Sequence, residues 1–418
     1  MAFTNPLHFM RVFGAASCLT LFFQPPHYAC SMNATQAPTL PAHPIPAARL
    51  GAIEAARGLA ALAVALMHVA NLMNVPHFSG HVGLGGLFAF GYVGVDFFFV
   101  LSGFIITYVH HQELGKAAAL PRYLWRRFSR IFPIYWFVLL LAIGATAAAR
   151  YAAGKPLGID LGMADLPGTV FLLMPFHGAP VEPKFIGVAW TLQFEVLFYL
   201  AFCVVLLHRR LGLGLLAAWA TYLLANIAGL VTADLPLQLA NAHCLQFLLG
   251  VGVALLARSG ALNGTLVASR ATLIFAMASF AAAVVFEMTG PQGLHSDYGR
   301  LALGIASAMV LATLTALEQS AVTTPLANTN AAPRTIRPLA CPTWLVKFGS
   351  ASYSVYLAHI LLASITYTVL LRLGLYHRLP ELAAYGIALA VALGGATAIG
   401  YLVELPTVAW LKERTRRK

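Results

Sequence analysis

Charge is the scarcest commodity in this sequence. Only 10% of its 418 residues are Asp, Glu, Lys or Arg, against about 25% in an ordinary soluble domain. That shortage excludes a soluble globular protein of this length. Cysteine is scarce too, with five residues at 18, 30, 203, 244 and 341. None forms a CxxC pair or a metal-ligand spacing, so neither a disulfide framework nor a zinc site is implied. Cys203 and Cys244 fall inside apolar runs, where packing is the default role. Aromatic and basic residues are not interleaved, so the net charge of +12 gives no support to nucleic-acid binding. An internal repeat is also missing, which removes support for an inverted-repeat transporter.

What the chain does have is apolar length. Hydrophobic residues make up 60% and the mean hydropathy is +0.78. A helix needs about 20 apolar residues to cross the hydrocarbon core. Ten segments meet that length: 51–72, 86–109, 131–150, 189–207, 211–229, 239–257, 271–289, 300–317, 349–371 and 382–405. The expected fold is an all-α polytopic membrane bundle of about ten helices.

Residues 1–49 have a different character. Arg11 precedes a short apolar stretch with the outline of a signal peptide or anchor, too short to span. A Pro- and Ala-rich linker follows over 35–48. The expected organisation is therefore an N-terminal extension at 1–49, a membrane domain at 50–410 and a basic tail at 411–418.

Lys and Arg placement sets the expected orientation. With the residues before the first span in the cytoplasm, inner loops and tail hold seventeen Lys and Arg, and outer loops only five. The opposite orientation inverts that bias. Both ends of the helical domain are expected in the cytoplasm of a bacterial cell, with the spans in its inner membrane. The longest outer loop, 151–188, is rich in proline and charge, and can either shape a substrate site or serve as a connector.

Ionisable groups at membrane depth are costly and point to function. Arg57 and His68 lie eleven residues apart in the first span. At 100° per residue they share one helix face, roughly 16 Å apart along the axis. Taken alone, Arg57 reads equally as a snorkelling anchor and His68 as an interhelical hydrogen-bond partner. Asp96 sits near the middle of the second span, with Ser102 in its inner half. Such a carboxylate needs a partner, for which an Arg or a Trp indole is expected, or a proton. Arg127 and Arg130, three residues apart beside Arg126, face one side of the helix entering the third span. Two guanidinium forks so spaced suit phosphate groups, and equally suit a positive-inside anchor. Pro133 is expected near the start of that helix. Trp190 opens the fourth span and Glu195 lies at a depth similar to His68, suggesting a His–carboxylate pair for proton abstraction. The ninth span adds Ser352, Tyr353, Ser354, Tyr356 and His359, hydroxyls that can also simply join helices.

Several of these segments resemble membrane-bound acyltransferase family 3, whose members O-acylate lipopolysaccharide, exopolysaccharide and related glycans. The resemblance covers roughly residues 49–410. It rests on Arg57 followed at ten residues' interval by His68, FFVLSG at 98–103, Arg127-x-x-Arg130, WTLQFE at 190–195, SYSVYLAH at 352–359 and VELP at 403–406. It implies an acyl-CoA donor, foremost acetyl-CoA, a carbohydrate or glycolipid acceptor and no metal. His68 would then be the catalytic histidine, with Arg57 and Glu195 beside it in the reaction. Arg127, Arg130 and Arg126 would meet the coenzyme A phosphates. Asp96, Ser102, Trp190, Tyr353 and His359 would line the site. Some family members carry an additional periplasmic SGNH-type domain. The present chain ends after its tenth span, so acceptor transfer is expected to use the membrane domain or a separate polysaccharide-assembly partner. A flippase for glycan or acyl donor, and a non-catalytic export component, are the alternatives.

Overall fold

In the computed structural model, residues 51–78, 84–156, 158, 161–174, 183–231, 237–264, 266–290, 296–322 and 339–416 are described. The extension at 1–49 and two of the long loop's prolines, Pro175 and Pro180, lie outside them. Backbone polar groups at membrane depth must be satisfied within the chain, which favours helices. Among the described residues there is no β-strand, and ten helices are long and apolar enough to cross a membrane. The chain is an all-α multi-pass membrane protein.

The helices are α1 (Gly51–Met73), α2 (Val93–His110), α3 (Leu120–Ala152), α4 (Trp190–Leu207), α5 (Arg209–Ile227) and α6 (Ala242–Ser259), followed by α7 (Arg270–Thr289), α8 (Asp297–Val322), a short α9 (Thr343–Ser350) and α10 (Ser352–Arg372). The last span is α11 (Glu381–Ile399), continued through a π-helical turn (Gly400–Glu404) into α12 (Leu405–Arg416).

Three of these elements depart from the sequence expectation, and each departure helps to build the site. First, α3 begins eleven residues early and runs for 33, about 50 Å at 1.5 Å per residue against a core of about 30 Å. The surplus turns carry Arg122, Arg126, Arg127 and Arg130. Pro133 accordingly lies inside the helix rather than near its start, and denies the Ser129 carbonyl its usual donor. Second, the ninth span, expected over 349–371, begins at Ser352, and a short separate helix, α9, precedes it across a break at Ala351. The break lets α9 lie against α1 so closely that a Cβ on Gly349 would stand 1.8 Å from the Glu54 carbonyl oxygen. Third, the π turn of the last span carries Glu404 into the protein interior, at 1% exposure; such bulges are frequent at functional sites.

A second close crossing joins α2 and α6. A Cβ on Gly103 would approach the Phe247 carbonyl oxygen to 2.0 Å, and one on Gly250 the Val100 oxygen to 1.9 Å. With no hydrophobic effect between helices in lipid, such backbone approach supplies the packing. Within the long loop, residues Leu166–Phe171 form a short helix docked on α3. There Tyr135 donates to the Thr169 carbonyl and Trp136 Nε1 to the Val170 carbonyl at 2.9 Å.

Candidate active site

A cavity of about 1270 Å³ opens among α1, α2, α3, α4, α10 and α12, above the roughly 300–1,000 Å³ usual for small-molecule sites. Arg57, Arg122, Arg126, Arg127, Arg130 and Lys412 line it, against the carboxylates Glu54, Glu195 and Glu413. The early start of α3 supplies four of those six cations. This end of the bundle is therefore a positively charged mouth, suited to a polyanionic ligand.

Most of these arginines are held in place. Arg57 Nη1 donates to both oxygens of Glu54 at 3.0 Å, one turn back on α1. Arg130 Nη1 donates to Glu404 Oε1 at 2.7 Å, and its guanidinium lies over the Tyr353 ring at 5.2 Å. The other Glu404 oxygen accepts from the Ser354 hydroxyl at 2.7 Å. Helices α3, α10 and the π turn thus meet at one carboxylate. Arg57 and Arg130 lie within electrostatic reach of each other and of Glu404.

Arg127 lies between the rings of Tyr123 and Tyr199, at 5.7 and 5.6 Å. Its Nη2 donates to His110 Nε2 at 2.9 Å. A guanidinium can only donate, so that ring nitrogen accepts, and His110 Nδ1 carries the proton it gives to Glu113 at 2.5 Å. Arg126 is more loosely held, 4.0 Å from Glu113 and 44% exposed. Glu195 accepts from Tyr199 Oη at 2.5 Å and lies within electrostatic reach of Arg130 and Tyr353. Tyr353 donates to the Ile131 carbonyl at 3.1 Å.

At its far end the cavity is bounded by Phe98, Thr191 and Tyr356. Tyr356 Oη and Thr191 Oγ1 are 2.8 Å apart, and Phe98 meets the Tyr356 ring edge-on at 5.8 Å. One turn further along α10 stands His359, its ring centroid 6.2 Å from that of Tyr356. His359 Nε2 and His68 Nδ1 are 3.0 Å apart.

The sequence-derived site residues therefore fall into three groups. Arg57, Ser102, Arg126, Arg127, Arg130, Glu195 and Tyr353 line the cavity. His68 and His359 pair outside the cavity lining, His359 standing one helical turn beyond Tyr356. The pairing of His68 with Glu195 is replaced, because α1 packs on α10 and brings His359 to the ring, while Glu195 turns toward Tyr199. Asp96 and Trp190 belong to a separate cluster. Gln246 Nε2 donates to Asp96 Oδ1 at 2.6 Å, and His243 Nδ1 lies 3.8 Å from the same oxygen. Trp190 stacks obliquely on His243 at 5.4 Å. The partner of Asp96 is thus an amide, rather than the expected Arg or indole. Among the described residues, no three His, Cys, Asp or Glu side chains converge as a metal site requires.

Sequence reasoning passed over Glu54, His110, Glu113, Tyr199 and Glu404. The signal for Glu404 was available: an acidic residue near the end of an otherwise apolar span. Glu54 and Glu113 looked like ordinary helix-end charges.

The profile of the acyltransferase domain of family 3 matches residues 50–401. The chain belongs to that family. Over 298 residues it is 28% identical to the exopolysaccharide production protein ExoZ of Rhizobium meliloti (strain 1021), covering 70% of this chain and 82% of that protein. It is 32% identical over 99 residues to protein 2 in the picA locus of Rhizobium radiobacter, covering 21% of this chain and 51% of that one. No solved structure matches.

Proposed function

We propose that this acyltransferase moves an acyl group, acetyl foremost, from coenzyme A to a hydroxyl of a carbohydrate or glycolipid. The observation that carries the reading is the course of the cavity. It runs from a mouth lined by Arg122, Arg126, Arg127, Arg130 and Lys412 to an end at Phe98, Thr191 and Tyr356, one helical turn from the His68–His359 pair. A donor with phosphates at one end and a thioester at the other matches that polarity. The mouth faces the cytoplasm in this reading, in line with the excess of Lys and Arg there and with inner-membrane insertion. Arg126, Arg127 and Arg130 take the phosphates, with Arg130 already oriented by Glu404. The pantetheine arm runs between Ser102, Tyr353 and Glu195 toward Tyr356.

The acceptor hydroxyl enters from the opposite face and meets His68, which is only partly buried. His68 Nε2 takes the hydroxyl proton as the oxygen attacks the thioester carbon. The carbon–sulfur bond breaks, and the departing thiolate receives the proton. General base assistance of this kind contributes about 10² to 10⁴ in rate, and a dry channel limits thioester hydrolysis. Arg57, fixed by Glu54, keeps the positive field along the donor path. The name of the exopolysaccharide production protein favours an extracellular polysaccharide or its lipid-linked precursor as acceptor.

The test is genetic and chemical. In a deletion strain, surface glycans are analysed for ester-linked acyl groups after complementation with wild type or His68→Ala. The reading predicts one ester signal that is lost on deletion and restored by wild type alone. Restoration by both forms would reject His68 as the base. An unchanged glycan with accumulated acceptor on one face of the membrane would favour the flippase alternative.

A further inference from the structure

We infer that His359 is the positioning residue that sets the tautomer of His68 and thereby bares the nitrogen used as base. The inference rests on the reading of His68 as that base. Two contacts and the burial of the ring carry it. His359 Nδ1 lies 2.9 Å from the Val355 carbonyl oxygen, four residues back on α10. A carbonyl can only accept, so His359 Nδ1 holds a proton. The His359 ring has 0% exposure, and among the described residues it forms no ion pair with a carboxylate. A second proton on it would create a charge in the bilayer interior, at high cost. The neutral ring therefore offers a lone pair at Nε2, and that nitrogen faces His68 Nδ1 at 3.0 Å. His68 Nδ1 must be the donor. A neutral His68 then has no proton on Nε2, which is the state a general base requires. The protonation of one ring nitrogen is commonly set by the bond the other makes. Here the orienting group is a second imidazole, anchored by its own helix backbone, in place of the usual carboxylate.

The arrangement also fixes what happens during transfer. As the acceptor oxygen bonds to the acyl carbon and the carbon–sulfur bond breaks, the hydroxyl proton passes to His68 Nε2. The imidazolium keeps its Nδ1–H on the His359 lone pair, so the new charge is met by an acceptor already in place. The proton then leaves Nε2 for the coenzyme A thiolate, and His68 returns to its starting tautomer. His359 gains and loses nothing over the cycle.

The experiment compares His359→Gln, which keeps an acceptor near the Nε2 position, with His359→Leu, which keeps volume and removes it, using purified protein, labelled acyl-CoA and isolated surface glycan. The glutamine form is expected to turn over within about 10-fold of wild type, and the leucine form at about 100-fold less or lower. KM for acyl-CoA should be unchanged in both, because His359 does not line the donor cavity. In parallel, nitrogen NMR of wild-type protein labelled at histidine nitrogens, assigned by comparison with His68→Ala, should find His68 protonated at Nδ1 and bare at Nε2. Equal turnover of the leucine and glutamine forms, or a protonated Nε2 on His68, would overturn the assignment. If His68→Ala retains full turnover, the base reading itself falls; if His68→Ala is inactive but His68 is protonated at Nε2, the base reading stands and the tautomer assignment alone falls.

Discussion

Arg130 of α3 donates to Glu404 of the last span's π turn across 2.7 Å, and among the described residues no other cation forms an ion pair with that carboxylate. The pair is asymmetric, since Glu404 is fully buried while Arg130 reaches the cavity with 30% of its side chain exposed. Removing the arginine should leave an uncompensated buried charge, which typically costs about 3 kcal/mol or more. Arg130→Ala is therefore expected to lower the melting temperature in detergent clearly. Arg130→Ala combined with Glu404→Gln should recover much of that loss and remain impaired in acyl transfer. Recovery of activity along with stability would mean that Arg130 serves only as a strut.

Arg126 allows a cleaner test of donor binding because it is exposed and loosely held. Arg126→Gln should raise KM for acyl-CoA several-fold, with kcat little changed, as expected when an interaction common to ground and transition states is removed. Raising the salt concentration should narrow the difference from wild type. Steady-state kinetics on purified protein measures both.

The crossing of α2 and α6 leaves no room for a methyl group at Gly103 or Gly250. Gly250→Ala should force the helices apart and lose on the order of 1–3 kcal/mol, visible as reduced yield and earlier thermal aggregation. Gly252, on the same helix with open space around its α-carbon, supplies the control, and its alanine variant should behave like wild type.

Asp165 in the loop after α3 contacts Lys184 Nζ at 2.9 Å and accepts from the Gly162 amide at 2.8 Å. The Lys184 hydrogen bond holds its carboxyl below the usual carboxylate range. A group depressed in this way favours the docked loop above its unfolded pKa, about 3.9, and loses that contribution as pH falls through the lower folded value. Below about pH 4, the protection of the Gly162 amide relative to its intrinsic exchange rate at the same pH should fall. Asp165→Asn should exchange faster already at neutral pH.

The number and order of spans were legible because a bilayer imposes a length on apolar runs. The helical stretch carrying Arg127 and Arg130 was legible too, but the first turns of α3 back to Leu120 were not, since Arg122 and Arg126 break the apolar pattern while remaining good helix formers. The short helix α9 before the ninth span and the π turn at Gly400 answer tertiary demands, namely the approach of α9 to α1 and the docking of Glu404 onto Arg130. Site residues were legible one by one wherever a charge or imidazole stood at membrane depth. Their pairing was not. His68 and Glu195 matched in depth, but depth says nothing about rotation around the bundle. Which helix faces α1 is decided by small-residue contacts such as Gly58 with Gly349 and Phe348, and these lie far apart in the chain.

The most direct test of the account is a single-turnover reaction with purified protein in liposomes, acyl-labelled coenzyme A on the Arg126 side and acceptor glycan on the other. The account predicts that free coenzyme A and ester-labelled glycan form in equal amounts with wild type, and that His68→Ala forms neither while still binding the donor. Labelled glycan formed by His68→Ala at the wild-type rate, or intact acyl-CoA recovered on the acceptor side, would contradict it.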